Sequence, residues 1–258
     1  MIFKHFIRNI LPYFFVERRR RLFRLHRLGL SPSCGTSQEY EAAVNGCRFE
    51  LWPAVLRTTQ DWTLVDVGAN EGDFIRATTR LANPSAVFAF EPLPSCQPAL
   101  SKLLASVRGG QLICAAVGAA TGEVKLHCTA NTYMSSVFPP QRGIDSSYAD
   151  GDYGVVQQLS VPQVKLDDAI PPGMHIDLLK VDVQGYEREV LRGATRTLKE
   201  TGALLIEVNY TPHYKGAVSF DELHAFLNAV GFHLHGISTP YFDDIRPLWA
   251  DAMYVRKD

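Results

Sequence analysis

From Thr63 to the end of the chain, short apolar runs alternate with stretches of helical periodicity, and this alternation restricts the fold more than any other feature of the sequence. TLVDVG (63–68) is an apolar run that stops at a glycine, and DFIRATTRLA follows it with helical spacing. AVFAFEP (86–92) repeats the pattern, is stopped by prolines and leads into the helical PALSKLLASV. QLICAAVG (111–118) reads as a third strand, and EVKLHC (123–128) alternates as an antiparallel addition would. HIDLLKVDV (175–183), the helical YEREVLRGATRTLKE and ALLIEVNY (203–210) supply a fourth strand, a crossover and a fifth strand. FDELHAFLNAVG is helical with a glycine stop, FHLHGIS is strand-like, and DAMYVRK forms a last strand. Apolar strands joined by helices make a parallel sheet covered on both faces, and such sheets bind ligands beyond the carboxyl ends of their strands.

At 258 residues the chain can bury one large α/β core with a small appendage. It divides into a basic leader (1–30), a helical or irregular extension (31–60) and a main domain (61–258) with a substrate-side insertion at 129–157. The insertion is rich in Ser, Tyr, Asp, Gly and Pro and breaks the alternation, so it is either a functional lid or a plain surface loop. Its tyrosines 133, 148 and 153 offer rings on which a sugar or another flat ligand can stack. The leader sets Lys4, Arg8, the arginines 18–21, Arg24 and Arg27 against Glu17 alone, so the formal net charge of -1 hides a basic start and an acidic remainder. Its apolar run ILPYFFV is too short to span a bilayer and is broken by Pro12. The leader is either solvated or a peripheral membrane segment, with Phe3, Phe6, Ile7, Ile10, Phe14 and Phe15 against anionic lipid. Five cysteines without a C-x-x-C pair signal neither a disulfide framework nor a zinc site. The expected location is the cytoplasm, or its inner membrane surface if that leader meets lipid. Nucleic acid is not an expected partner, because the basic run is confined to one end of an acidic chain.

VDVGANEGDF (65–74) places an acid near a strand end, then Gly68 and Gly72 for a tight turn and close backbone approach to a ligand. It lacks the full G-x-G-x-x-G dinucleotide pattern, and Asp66 would repel a pyrophosphate; an acid there suits an ammonium group. Glu91, at the end of the next strand, stands where a carboxylate accepts both hydroxyls of a ribose. An amine and a ribose with no phosphate describe S-adenosylmethionine.

VDVGANEG, FEP, AAVG, the N-x-x-x-S-S of 131–136, LDD (166–168), DLLKVDVQGYEREVLRGA and IEVNY occur in this order, and together they resemble the FkbM family of S-adenosylmethionine-dependent methyltransferases. The resemblance covers roughly residues 63–210. It implies the class I methyltransferase fold: a Rossmann-like, seven-stranded, mostly parallel sheet in the order 3-2-1-4-5-7-6, strand 7 antiparallel, with helices on both faces. It also implies methyl transfer to a hydroxyl oxygen. By motif position Asp66, Gly68, Asn70 and Gly72 match the cofactor loop and Glu91 the ribose-binding acid, while Ala116 and Val117 flank the adenine. Acceptors in the family include glycans and macrolide-type natural products.

Lys180 and Asp182 lie two apart within an apolar strand and therefore share a face of the sheet, as do Glu207 and Asn209 on theirs. If the two strands are neighbours, as the resemblance implies, the four groups meet near the strand ends. An alcohol attacks a methyl group only as its proton leaves, so the expectation is Asp182 as general base, Lys180 fixing its charge, and Glu207 and Asn209 orienting the acceptor. His213, just after the fifth strand, is a second candidate base. An alternative gives Asp182, Glu207 and Asn209 to a divalent cation such as Mg²⁺ or Mn²⁺, which would acidify the hydroxyl directly. A purely structural ion pair is the third reading of the cluster. Glu187 either faces the same cleft or complements a helix dipole.

The leading expectation is thus an O-methyltransferase with a saccharide or glycan acceptor. A polyketide or other small natural product is the next acceptor class, a non-catalytic cofactor-binding scaffold the alternative of another kind. A nicotinamide oxidoreductase is disfavoured by the missing third glycine and by the acid at 66.

Overall fold

The structure, a computed structural model, describes residues 61–81, 84–141, 154–238, 240–243 and 245–256. The leader, the 31–60 extension and tyrosines 148 and 153 lie outside the described residues. Among the described residues no helix is long and apolar enough to cross a membrane.

Strand β1 (Thr63–Val67) is followed by helix α1 (Asp73–Leu81), whose first-turn Asp73 complements the helix dipole. Strand β2 (Ala86–Phe90), helix α2 (Gln97–Leu104) and strand β3 (Gly110–Ile113) repeat the unit. The chain then leaves this sheet for β4 (Ala116–Val117), β5 (Gly122–Thr129), a 3₁₀ turn (Thr132–Met134) and β6 (Val155–Val164). It returns through the short α3 (Leu166–Ala169) into β7 (Ile176–Val181), α4 (Glu187–Arg192), α5 (Thr195–Lys199) and β8 (Thr201–Asn209). Helix α6 (Phe220–Ala229) and strands β9 (Phe232–Ile237), β10 (Tyr241–Asp243) and β11 (Arg246–Arg256) complete the domain.

Five parallel strands run in the order β3-β2-β1-β7-β8; β11 pairs antiparallel with β8 and carries both β9 and β10. The mostly parallel α/β sheet agrees with expectation, but among the described residues it has eight strands rather than seven. Two cores cover it. Val65, Val67, Leu179, Val181, Ile206 and Val208 face one side, with Val190, Leu191, Leu223 and Leu227 from the helices. Leu64, Ala89, Leu178, Leu205 and Met253 face the other, against Phe74, Ile75, Leu100 and Leu104. Each fully buried side chain of this size contributes about 1.5–3 kcal/mol.

Three expectations are corrected. The run 111–118 is not one strand: the chain turns at Cys114, which is exposed, and divides between the main sheet and a second, three-stranded sheet β4-β6-β5. The end of the expected insertion, from Val155, belongs to β6, the antiparallel partner of β5. Most of β6 is solvent-exposed and it contains Pro162, so it carries no apolar run by which to find it. The helix expected over 186–200 is broken at Gly193, where a Cβ would lie 2.0 Å from the Gly118 carbonyl oxygen. Helix α5 restarts on the Asp167 carboxylate, which accepts from the N–H groups of Arg196 and Thr197, so the LDD stretch caps a helix.

Candidate functional site

A cleft opens at the carboxyl ends of β1, β2 and β7, and β4, β5, the 132–137 segment and the 182–186 turn close its sides. The turn after β1 is drawn tight, with the N–H groups of Gly68 and Ala69 both donating to the Phe90 carbonyl at 3.1 Å. Gly68 has φ +79°, and a Cβ on it would lie 1.9 Å from the Asp182 carbonyl oxygen, so two strand ends touch here only because this residue has no side chain. Asn70 follows in a left-handed conformation (φ 48°) and donates its N–H to Glu91 Oε2 at 2.7 Å. Leu93 N–H donates to Glu91 Oε1, also at 2.7 Å. Burial pushes the Glu91 carboxyl up, and these two donors pull against it. The carboxylate is thereby fixed in the cleft wall, each oxygen keeping a lone pair for a ligand hydroxyl.

Of the residues singled out in the sequence, Gly68, Asn70, Glu91, Ala116, Val117 and Asp182 line the cleft. Gly72 does not: it packs on α2, where a Cβ would meet Leu103 at 2.5 Å. Asp66 is fully buried on β1, opposite Lys180 of β7, whose Nζ lies 3.2 Å from its carboxylate. A lysine therefore faces Asp66 where a cofactor ammonium was expected. The same Nζ is 3.6 Å from Asp182 and donates to the Gly68 carbonyl at 3.3 Å. Burial works against the Lys180 charge, but the carboxylates of Asp66, Asp182 and Asp251 outweigh it and hold the ammonium protonated.

Glu207 and Asn209 share the face that carries Lys180, and β11 sets Asp251 and Trp249 opposite them. Both are buried behind the cleft wall. The link from Glu207 to Asp182 is Gln184, whose amide donates to Asp182 Oδ1 at 2.9 Å and to Glu207 Oε2 at 3.2 Å. An amide donor thus stands between the two carboxylates that were expected to share a cation. Among the described residues, no three His, Cys, Asp or Glu side chains gather as a ligand set. The donor set does not fit a divalent metal. His213 is buried outside the cleft, its carbonyl accepting the Gln141 N–H at 2.7 Å.

Sequence reasoning gave no role to Gln184, Thr132, Ser136 or Tyr186, all of which line the cleft. Gln184 has φ 56°, and its following Gly185 was the only signal of a left-handed turn. Ser136 donates its hydroxyl to the Gln184 carbonyl at 2.7 Å, and Ser135 accepts the Thr129 N–H at 3.1 Å. Asn131 caps the 3₁₀ turn through the Tyr133 N–H. The first part of the insertion is therefore tied into the cleft wall, with the half-exposed Tyr133 bonded to Asp73 at 2.7 Å. Glu187 is buried at the start of α4 and accepts the N–H groups of Val183 and Gly185 at 3.2 and 3.0 Å, holding the turn that presents Gln184. Burial pushes its carboxyl up to about 7, with Asp182 adding to the rise and the N–H donors opposing it.

A parallel α/β sheet with a glycine turn after its first strand and a buried carboxylate after its second has the Rossmann-like arrangement of the class I methyltransferase type. The crystal structure of methyltransferase FkbM from Methylobacillus flagellatus KT has this fold, with a TM-score of 0.53 and 16% identity over 92% of this chain and 59% of that one. Residues 66–234 match the methyltransferase FkbM domain, and the chain belongs to that family. It is 31% identical over 153 residues to "Methyltransferase sdnD" of Sordaria araneosa, a match covering 50% of this chain and 59% of that protein. It is 26% identical over 169 residues to "2-O-methyltransferase NoeI" of Sinorhizobium fredii (strain NBRC 101917 / NGR234), covering 60% and 67% of the two chains.

Proposed function

We propose that this chain is an S-adenosylmethionine-dependent O-methyltransferase whose acceptor is a hydroxyl of a saccharide. The observation that carries the cofactor reading is Glu91, a carboxylate lining the cleft after the second strand and fixed there by two backbone N–H groups. The donor set fits the rest of the cofactor: Phe90, Leu93, Ala116, Val117 and Leu126 offer apolar walls for adenine, and Gly68 gives close access to backbone. S-adenosylmethionine, when bound, supplies an electrophilic methyl group. Asp182, in the cleft and held at one oxygen by Gln184, takes the acceptor's proton. Lys180, kept charged by its neighbours, lies 3.6 Å from Asp182 and balances its charge. The 132–137 segment, pinned to the 182–186 turn, narrows access of water to the site.

Oxygen as the receiving atom is supported by the Sinorhizobium relative, a 2-O-methyltransferase by name. One flat surface supports a ring-shaped acceptor, the half-exposed Tyr133 in the cleft wall. The test is transfer of label from methyl-labelled S-adenosylmethionine to a panel of methyl glycosides, with Asp182→Asn alongside. Label in the sugar that falls at least about 100-fold in the variant is expected, the range for loss of a general base. Equal transfer by both proteins would remove Asp182 from the chemistry.

A further inference from the structure

The cofactor has a cationic half, and the structure removes the acid expected to meet it. Asp66 is enclosed and paired with Lys180. Among the described residues two carboxylates line the cleft, Glu91 and Asp182, and Glu91 is set for the ribose. Asp182 is the remaining anion, about a third exposed at 35%, yet it lies only 3.6 Å from Lys180. Lys180 is shared between the carboxylates of Asp66 and Asp182, nearer to Asp66 at 3.2 Å and paired with Asp182 through Oδ2.

Gln184 holds the other oxygen. Its amide holds Asp182 Oδ1 at 2.9 Å, and the amide is itself anchored at Glu207 and at the Tyr214 hydroxyl, 3.1 Å from its Oε1. Its carbonyl is tied by Ser136, and the turn on either side by Glu187. A non-glycine residue at φ 56° is strained, and five hydrogen-bonding groups converge to keep it there.

We infer that Gln184 is a positioning residue that fixes the Asp182 carboxylate by its Oδ1 in the cleft, where it meets the cationic half of S-adenosylmethionine. The inference rests on the cofactor reading above and concerns the stage before any proton is taken from an acceptor. The ammonium and the sulfonium share the chemistry that Asp182 recognises.

The test is isothermal titration of the wild type, Gln184→Gly and Gln184→Ala with three ligands. S-adenosylmethionine carries both cations, S-adenosylhomocysteine the ammonium alone, and 5′-methylthioadenosine neither. Gln184→Gly accepts the left-handed backbone, and thermal melts of each variant confirm that it is folded. The expected result is a Kd for S-adenosylmethionine raised about tenfold or more, as for one lost charge-assisted contact. The Kd for 5′-methylthioadenosine stays within about threefold of wild type. Weakening shared by S-adenosylhomocysteine puts the ammonium at Asp182, weakening confined to S-adenosylmethionine puts the sulfonium there, and both support the inference. Equal weakening of all three ligands, or none, overturns it. If no ligand binds the wild type, the cofactor reading itself fails and the inference falls with it.

Discussion

Lys180 explains why a charged residue sits inside an apolar strand: it neutralises Asp66 on the neighbouring strand and braces Asp182 at the strand end. That Lys180 and Asp182 share a face follows from strand periodicity alone. That Asp66 is the nearer partner does not, because it requires the register Asp66↔Lys180 between strands more than a hundred residues apart in sequence. Removing the lysine leaves a buried carboxylate unpaired, so Lys180→Met should lower stability by about 3–5 kcal/mol in denaturant melts. Adding Asp66→Asn should recover a large part of that loss; no recovery would show that the pair is not coupled. Glu187 gives the chain a pH dependence of definite sign. Its carboxyl is raised from 4.5 to about 7 in the folded state, so between these values the folded chain holds a proton that the unfolded chain has shed. Stability from this group is present at low pH and is lost as pH rises from about 4.5 to about 7. Glu187→Gln keeps an acceptor for the two N–H groups and cannot ionise, so the variant should gain on wild type over that window, by at most ~3 kcal/mol. Parallel melting curves at pH 5 and pH 8 with an unchanged difference would contradict this.

The central parallel strands β1, β2, β7 and β8 were legible because burial on both faces writes them as apolar runs. In the second sheet β5 was read from its alternation, but β6 was not, since it lies largely in solvent and its pairing with β5 is made by backbone groups that leave no pattern in side chains. The break between α4 and α5 was hidden for a related reason: Gly193 is demanded by the Gly118 carbonyl from a distant segment, while local periodicity runs straight through it. The loop after β1 shows the opposite case, a glycine pattern readable in sequence with a cause visible only in space. Gly68→Ala places a methyl group against the Asp182 carbonyl at a φ of +79°. The backbone conformation alone costs about 1–3 kcal/mol, and a strand carbonyl cannot rotate away. The variant should melt at lower temperature and lose ligand binding in the cleft together; a protein of wild-type stability would mean that the two strand ends are not in contact.

At the scale of the molecule, one sheet brings together groups spread from residue 66 to residue 251, and the cleft lies where the strand ends of β1, β2 and β7 meet a wall built from the smaller sheet. Sequence order was enough to place Glu91 and the glycine turn at the same end of the sheet. It was not enough to separate the residues that reach the cleft, such as Asp182, from those that only support it, such as Glu207, because strand parity is the same for both. The central claim is that this cleft holds S-adenosylmethionine by its ribose. It is tested most directly by calorimetric titration of S-adenosylhomocysteine into the wild type and into Glu91→Ala. The account predicts saturable binding by the wild type, weakened at least about tenfold in the variant, the loss expected for hydrogen bonds to a charged acceptor. Binding of equal strength to both proteins, or no binding to the wild type, would contradict it.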